Sequence, residues 1–326
     1  MAASHDQMNQ APPEGRPPQG TTAMPWRGWL LRGFVSTATI AVLVGIFAAG
    51  FAAGRFLDDD GGSTASAAQP DLTAVLPPGG VTISARWGDV LPRLVQQGVI
   101  DVEKFKAAAA RSGAPLTPEQ LRLLTEPSDD NLKIDSSNAY FMVTVLWGLG
   151  IANKNSILES GPMNTAGWDK RGNYASTGGW ILGDREGGEM VSAYELIGLT
   201  PEQQATVQEV AFNSYRPCCG NATAFPDCNH GAAALGLAEL MASQGASQDQ
   251  IFQAIKAFNA FWFPQQYTVL ATHFARQGQS WDKVDARELL SAQFSSSKGW
   301  QQVNQAVQSG GTAVPQAPSG GGKCGA

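Results

Sequence analysis

Hydrophobic and polar positions fall along this chain in three textures. The first is an unbroken run. From Gly33 to Gly54, 22 residues pass without a charge. At about 1.5 Å per residue such a helix covers about 33 Å, enough to cross a bilayer core of about 30 Å. The second is helical spacing, punctuated by caps and glycine stops, and it dominates beyond Val81. Trp87 to Gln97 reads as a helix stopped by Gly98, and Asp101 caps another running to Arg111. Leu116-Thr117-Pro118-Glu119-Gln120 starts a third, with Thr as cap, Pro in the first turn and Gln closing a capping box. The same five residues recur at Leu199 to Gln203 and start a helix from Pro201 to Tyr215. Ser137 to Ile151 is almost wholly apolar and too short to span a bilayer, which makes it the buried central helix. Further helices follow from His230 to Ser243 and from Gln248 to Phe263. Another runs past Pro264 through Tyr267, Leu270 and Phe274, and Ser280 caps the last. The third texture lies between Asn153 and Gly188. It is glycine-rich, with Trp168, Tyr174 and Trp180 among the glycines. It reads as irregular loops or a short hairpin around Tyr174 to Leu182, and a loop so long inside a compact domain points to function.

The predicted fold class is therefore mainly α: a single N-terminal transmembrane helix, then a compact extracytoplasmic helical domain with a Gly/aromatic-rich irregular insert. Residues 1–32 have the composition of a disordered cytoplasmic tail, 33–54 form the anchor and 55–80 a linker. Residues 81–308 form the helical domain and 309–326 a flexible Gly-rich tail. Arg16, Arg27 and Arg32 precede the apolar run, whereas Asp58, Asp59 and Asp60 follow it. The basic flank places the N-terminus in the cytoplasm and the large domain outside. A cleaved signal peptide would have a shorter apolar core, and Ala65-Ser66-Ala67, the nearest small-residue cleavage pattern, lies well past the run. The run is thus expected to stay in the lipid bilayer. Gly50 and Gly54 form a small-xxx-small pair through which two spans could meet as a homodimer. Composition adds one exclusion: a net charge of −6 with no basic cluster argues against general nucleic-acid binding.

Chemistry concentrates between Arg216 and Gly231, which hold three of the four cysteines and one of the three histidines. Pro217, Gly220, Asn221 and Pro226 make a loop, and Asp227 or Asn229 is placed to cap the helix beyond it. At that helix start the dipole favours thiolate over thiol at Cys228. His230 follows two residues later, and Cys218 or Cys219 can fold back to join them. Three readings compete. A copper or zinc site would use Cys218, Cys219, Cys228 and His230, since thiolate and imidazole suit those ions. A disulfide from Cys218 or Cys219 to Cys228 would only staple a binding or scaffold module. A thiol enzyme would use Cys228 as nucleophile and His273 as base. Cys324, in the Gly-rich tail, can join the site or bridge two chains.

Overall fold

The computed structural model describes residues 69–311 and 313–317, which are mainly helical. The expected anchor at 33–54, its Gly50 and Gly54, and Cys324 lie outside the described residues. Among the described residues no helix is long and apolar enough to cross a membrane. Strand β1 (Val81–Gly88) leads into α1 (Val90–Gln96), α2 (Val102–Arg111) and α3 (Pro118–Thr125). Strand β2 (Ser128–Ile134) then precedes α4 (Ala139–Ala152). After the irregular insert come α5 (Pro201–Asn213), α6 (Asn229–Ser243), α7 (Gln248–Trp262), α8 (Pro264–Arg276) and α9 (Ser297–Ser309), with single turns of helix between some of them.

The helix starts follow the capping chemistry. The Thr117 side chain accepts from the Gln120 N–H while the Gln120 side chain accepts from the Thr117 N–H. The same reciprocal pair forms at Thr200 and Gln203 and at Ser247 and Gln250. Asp101 caps α2 by accepting from the Lys104 N–H. Each such cap is worth about 1 kcal/mol.

The core is built around α4 and α6. Twelve residues of α4 are buried, including Phe141, Val145, Leu146 and Leu149. Such a helix, apolar on every side, must be enclosed. Its partner α6 is buried from His230 to Ala242. Their backbones touch at two glycines. A methyl at Gly150 would run into the Ala232 carbonyl oxygen, and one at Gly236 into that of Leu146. Small residues here let two helices approach more closely than the usual 8–10 Å or so.

Two expectations are corrected. The helix expected from Trp87 to Gln97 forms from Val90 to Gln96, and an unexpected strand precedes it, in which Ile83, Ala85 and Trp87 are buried and Thr82, Ser84 and Arg86 are exposed. That is the period of a half-buried strand, and Trp87 lies within it instead of starting a helix. β1 pairs antiparallel with β2, Val81 opposite Ile134 and Ile83 opposite Leu132. The hairpin expected around Tyr174 to Leu182 is instead a helical turn, Ala175–Gly178, followed by loop. The packed core also reaches back beyond Val81 to Val75 and Leu76. The insert is pinned to α4 by its aromatics. Trp180 donates to the Val99 carbonyl at 3.0 Å and meets Trp147 edge-on, with centroids 4.7 Å apart. Trp147 in turn donates to the Ser176 carbonyl at 2.6 Å.

Candidate metal centre

The loop from Ser214 to Cys228 joins α5 to α6 and is tied down on every side. At its base Thr223 N–H donates to the Ser214 carbonyl at 2.9 Å, and Ala224 N–H to that of Ala211 at 2.8 Å. Three other segments grip it. Tyr215 N–H donates to the Leu290 carbonyl at 2.8 Å, Ser176 N–H of the insert to Asp227 at 3.0 Å, and Ser297 N–H at the start of α9 to Cys219 at 2.9 Å. A loop held this way has few conformations left to lose when it binds something.

Arg216 organises its interior. The side chain is 1% exposed. Its Nη1 donates to the Asn221 carbonyl at 2.9 Å and its Nη2 to that of Phe225 at 3.2 Å. Nη2 also pairs with Asp227 Oδ1 at 2.7 Å, and Nε donates to Cys228 Sγ at 3.2 Å. Asn221 steadies the other oxygen of Asp227 at 2.8 Å. Room for the guanidinium comes from Gly231, where any side chain would collide with it. Burying a cation is expensive unless it is paired and hydrogen-bonded, and here it is both.

Around that cation the three cysteines converge. Cys218 Sγ lies 3.5 Å and Cys219 Sγ 3.8 Å from Cys228 Sγ. The three sulfurs all lie within 4.8 Å of one another, and all three are free thiols. Cys228 itself is the N-cap of α6, its sulfur accepting from the Gly231 N–H at 3.4 Å. The expected caps have other partners: Asp227 holds Arg216, and Asn229 Oδ1 accepts from the His230 N–H at 3.1 Å.

The three thiols do not titrate alike. Cys228 lies well below the usual thiol range, because Cys218 and Cys219 donate to its sulfur and the Arg216 charge favours the thiolate, all against the opposing effect of burial. Cys218 is raised, first by its hydrogen bonds to Cys219 and Cys228 and then by burial. Cys219 accepts from Cys218, which alone would lower it. Donation to Cys228 and burial outweigh this and push it up to about 12. Of the three, Cys228 is therefore the thiol that gives up its proton most readily, with Cys218 and Cys219 as donors to its sulfur.

His230 acts on Cys228 through its charge but brings no nitrogen into the sulfur cluster. His230 is buried on α6 with its ring 4.4 Å from that of Phe263 and 5.6 Å from that of Trp262, centroid to centroid. Its Nδ1 faces Asn229 Oδ1 at 3.2 Å. Burial, aided by the Arg216 charge, lowers it to about 4, so it is neutral at pH 7. Among the described residues the ligand atoms that gather are the three sulfurs, without a His230 nitrogen. His273, the base of the enzyme reading, sits on α8 with its Nε2 2.8 Å from the Gln277 amide nitrogen. Sequence reasoning missed Arg216. The available signal was a lone cation directly before Pro217-Cys218-Cys219, with a glycine at the start of the following helix.

Three sulfurs about 2.3 Å from one ion stand roughly 3.8–4.0 Å apart, in a tetrahedral or trigonal array alike. The cluster needs only small shifts to match that spacing. No family model, curated protein or solved structure matches this chain.

Proposed function

We propose that this is a membrane-anchored extracytoplasmic protein whose outer domain holds one copper(I) or zinc(II) ion on Cys218, Cys219 and Cys228. The observation that carries the reading is the sulfur spacing of 3.5 and 3.8 Å around Cys228, whose sulfur also accepts from Arg216 Nε at 3.2 Å. Soft thiolates select such ions, and three of them suit trigonal copper(I) as well as three corners of a zinc tetrahedron. Arg216 offsets the negative charge that builds up as the thiols lose their protons. His230 is left out of the ligand set, because its imidazole packs among aromatic rings.

The test is metal content of the full-length chain purified in detergent under reducing conditions, with thiols counted beside it. About one ion per chain is expected, and none in Cys228→Ser. A wild-type protein that stays metal-free after reduction and reconstitution would refute the reading. The anchor is tested separately. Protease added to intact cells should digest the outer domain and leave a tag at Met1 protected.

A further inference from the structure

We propose that the centre is redox-gated: oxidation joins Cys218 to Cys228 as a disulfide and expels the ion, and reduction restores the site; the inference rests on the metal reading above. Sulfur spacing carries it. Cys218 Sγ lies 3.5 Å from Cys228 Sγ, against about 2.05 Å in a disulfide. A shift of about 1.5 Å closes the gap. The other partner, Cys219 Sγ, is farther from Cys228 at 3.8 Å. A bridge between Cys218 and Cys219 themselves is disfavoured, since neighbouring Cα atoms about 3.8 Å apart fall below the usual disulfide range.

The two neighbours of Cys228 also differ in how firmly they are held. Cys219 is tied through backbone and side chain. Its carbonyl accepts from the Ser297 N–H at 2.9 Å, its N–H donates to the Arg216 carbonyl at 3.5 Å, and its sulfur lies 3.7 Å from Asp227 Oδ1. Drawing it onto Cys228 would strain the contact with α9. Cys218 is the exposed member of the trio and the one a soluble oxidant meets first. The loop itself does not depend on the ion. Arg216 holds the Asn221 and Phe225 carbonyls and Asp227 whatever happens at Cys228, and the Thr223 and Ala224 N–H groups close the base. Loss of the ion therefore leaves a frame in place for reloading.

The oxidant is a small disulfide, RSSR. The Cys218 thiolate leaves the ion and attacks one sulfur of RSSR, forming the mixed disulfide Cys218–S–SR and releasing RS⁻. The Cys228 thiolate then attacks the Cys218 sulfur, forming Cys218–S–S–Cys228 and releasing a second RS⁻. Two electrons pass from the two cysteines to RSSR, which is reduced to two thiolates. Cys219 is left as one thiolate where zinc takes four ligands, so the ion is released. Arg216 loses an anionic acceptor at Cys228 but retains the Asp227 carboxylate 2.7 Å away, and its charge stays paired.

Full-length protein in detergent is loaded with zinc(II), which takes no part in the electron transfer, and treated with oxidised glutathione. Released zinc is read with a chromogenic chelator, and the bridge is located by peptide mapping after thiol alkylation. About one zinc ion should leave for each bridge formed, the bridge should join Cys218 to Cys228, and reduction followed by zinc should restore the starting stoichiometry. Cys219→Ser should form the same bridge. In Cys218→Ser the free thiol of Cys228 should be lost more than about tenfold more slowly than in wild type. An unchanged rate there overturns the role of Cys218. Zinc retained under oxidation, with all three thiols still open to alkylation, overturns the gate and leaves the metal reading standing. Zinc lost without a bridge, or with a bridge between any other pair, overturns the gate as well. A wild type that takes up no zinc takes both readings down.

Discussion

Helix α6 buries a charged residue's problem at two places and solves it in two ways. At its start the Arg216 guanidinium is enclosed but keeps its charge, because Asp227 pairs with it at 2.7 Å and the Cys228 sulfur accepts from it at 3.2 Å. Three turns along, Glu239 is fully buried and its carboxyl meets Asn155 Nδ2 at 2.5 Å. Asn155 is itself fixed by the Ile157 N–H at 2.8 Å and Gln204 Nε2 at 3.1 Å. Amides can orient a carboxyl but bring no opposite charge. Burial therefore pushes Glu239 up to about 8, against the opposing hydrogen bonds from Asn155 and Asn153. A protein interior keeps an ion where a counter-ion is built in and otherwise discharges it. The charged end of α6 is the one that carries the sulfur cluster, and the discharged middle lies within the core.

The most damaging way to break this contrast is to remove the cation. Arg216→Met should destabilise the domain by about 3–5 kcal/mol, since Asp227 and the Cys228 thiolate lose their shared partner. It should also slow alkylation of Cys228 at pH 7, as the thiolate fraction falls. Denaturant unfolding and the alkylation rate give the two readouts. A variant within about 1 kcal/mol of wild type, with unchanged alkylation, would mean that Arg216 does not organise the site.

How far the sequence foretold these features depends on how local their physics is. The capping boxes at Thr117 and Thr200 were legible because every atom involved lies within four residues. The central helix was legible from its unbroken apolar run. β1 and β2 were not, because Val81 finds Ile134 across three intervening helices. The alternation of Ile83, Ala85 and Trp87 was present but was overridden by the helical spacing that follows. At the site, convergence of the cysteines on the start of α6 could be argued from the dipole and the turn residues. Arg216 could not, since its burial depends on a hole that Gly231 leaves on another element. His230 looked like a ligand from its spacing to Cys228. Its packing against Phe263 and Trp262 could not be read, because the sequence shows those only as two distant aromatics.

The discharged middle of α6 makes a pH prediction. The folded pKa of Glu239 is raised, so the folded state holds a proton that the unfolded chain has already released. Its contribution to stability is fully present below the unfolded value of about 4.5 and is lost as pH rises to about 8. Unfolding free energy should fall across that window by an amount on the order of a few kcal/mol. Glu239→Gln should flatten the profile and be the more stable protein at pH 8. An equally steep decline in the variant would place the titration elsewhere.

A smaller effect sharpens the scaffold side. Gly150→Ala puts a methyl against the Ala232 carbonyl, where α4 and α6 touch. The helices must part, at about 1–3 kcal/mol. The helix propensity of alanine recovers up to about 1 kcal/mol of that. Thermal unfolding should therefore show a net loss, and a stabilised variant would mean that the helices are not in backbone contact.

The smallest expected effect separates packing from ligation at the charged end. His230→Phe keeps a ring among Phe263 and Trp262 and removes both imidazole nitrogens. If His230 only packs, the variant should keep one metal ion per chain with affinity within about tenfold of wild type, or 1.4 kcal/mol. Removal of a true ligand would exceed that limit by far. The same variant leaves Arg216, Gly231 and the three sulfurs in place, so a lost ion could not be blamed on the loop, provided unfolding shows the domain intact. Retention of the metal in His230→Phe together with its loss in Cys228→Ser would leave the sulfurs alone as the centre. Loss in both would return the imidazole to the ligand set and require the ring to turn away from its aromatic neighbours on binding.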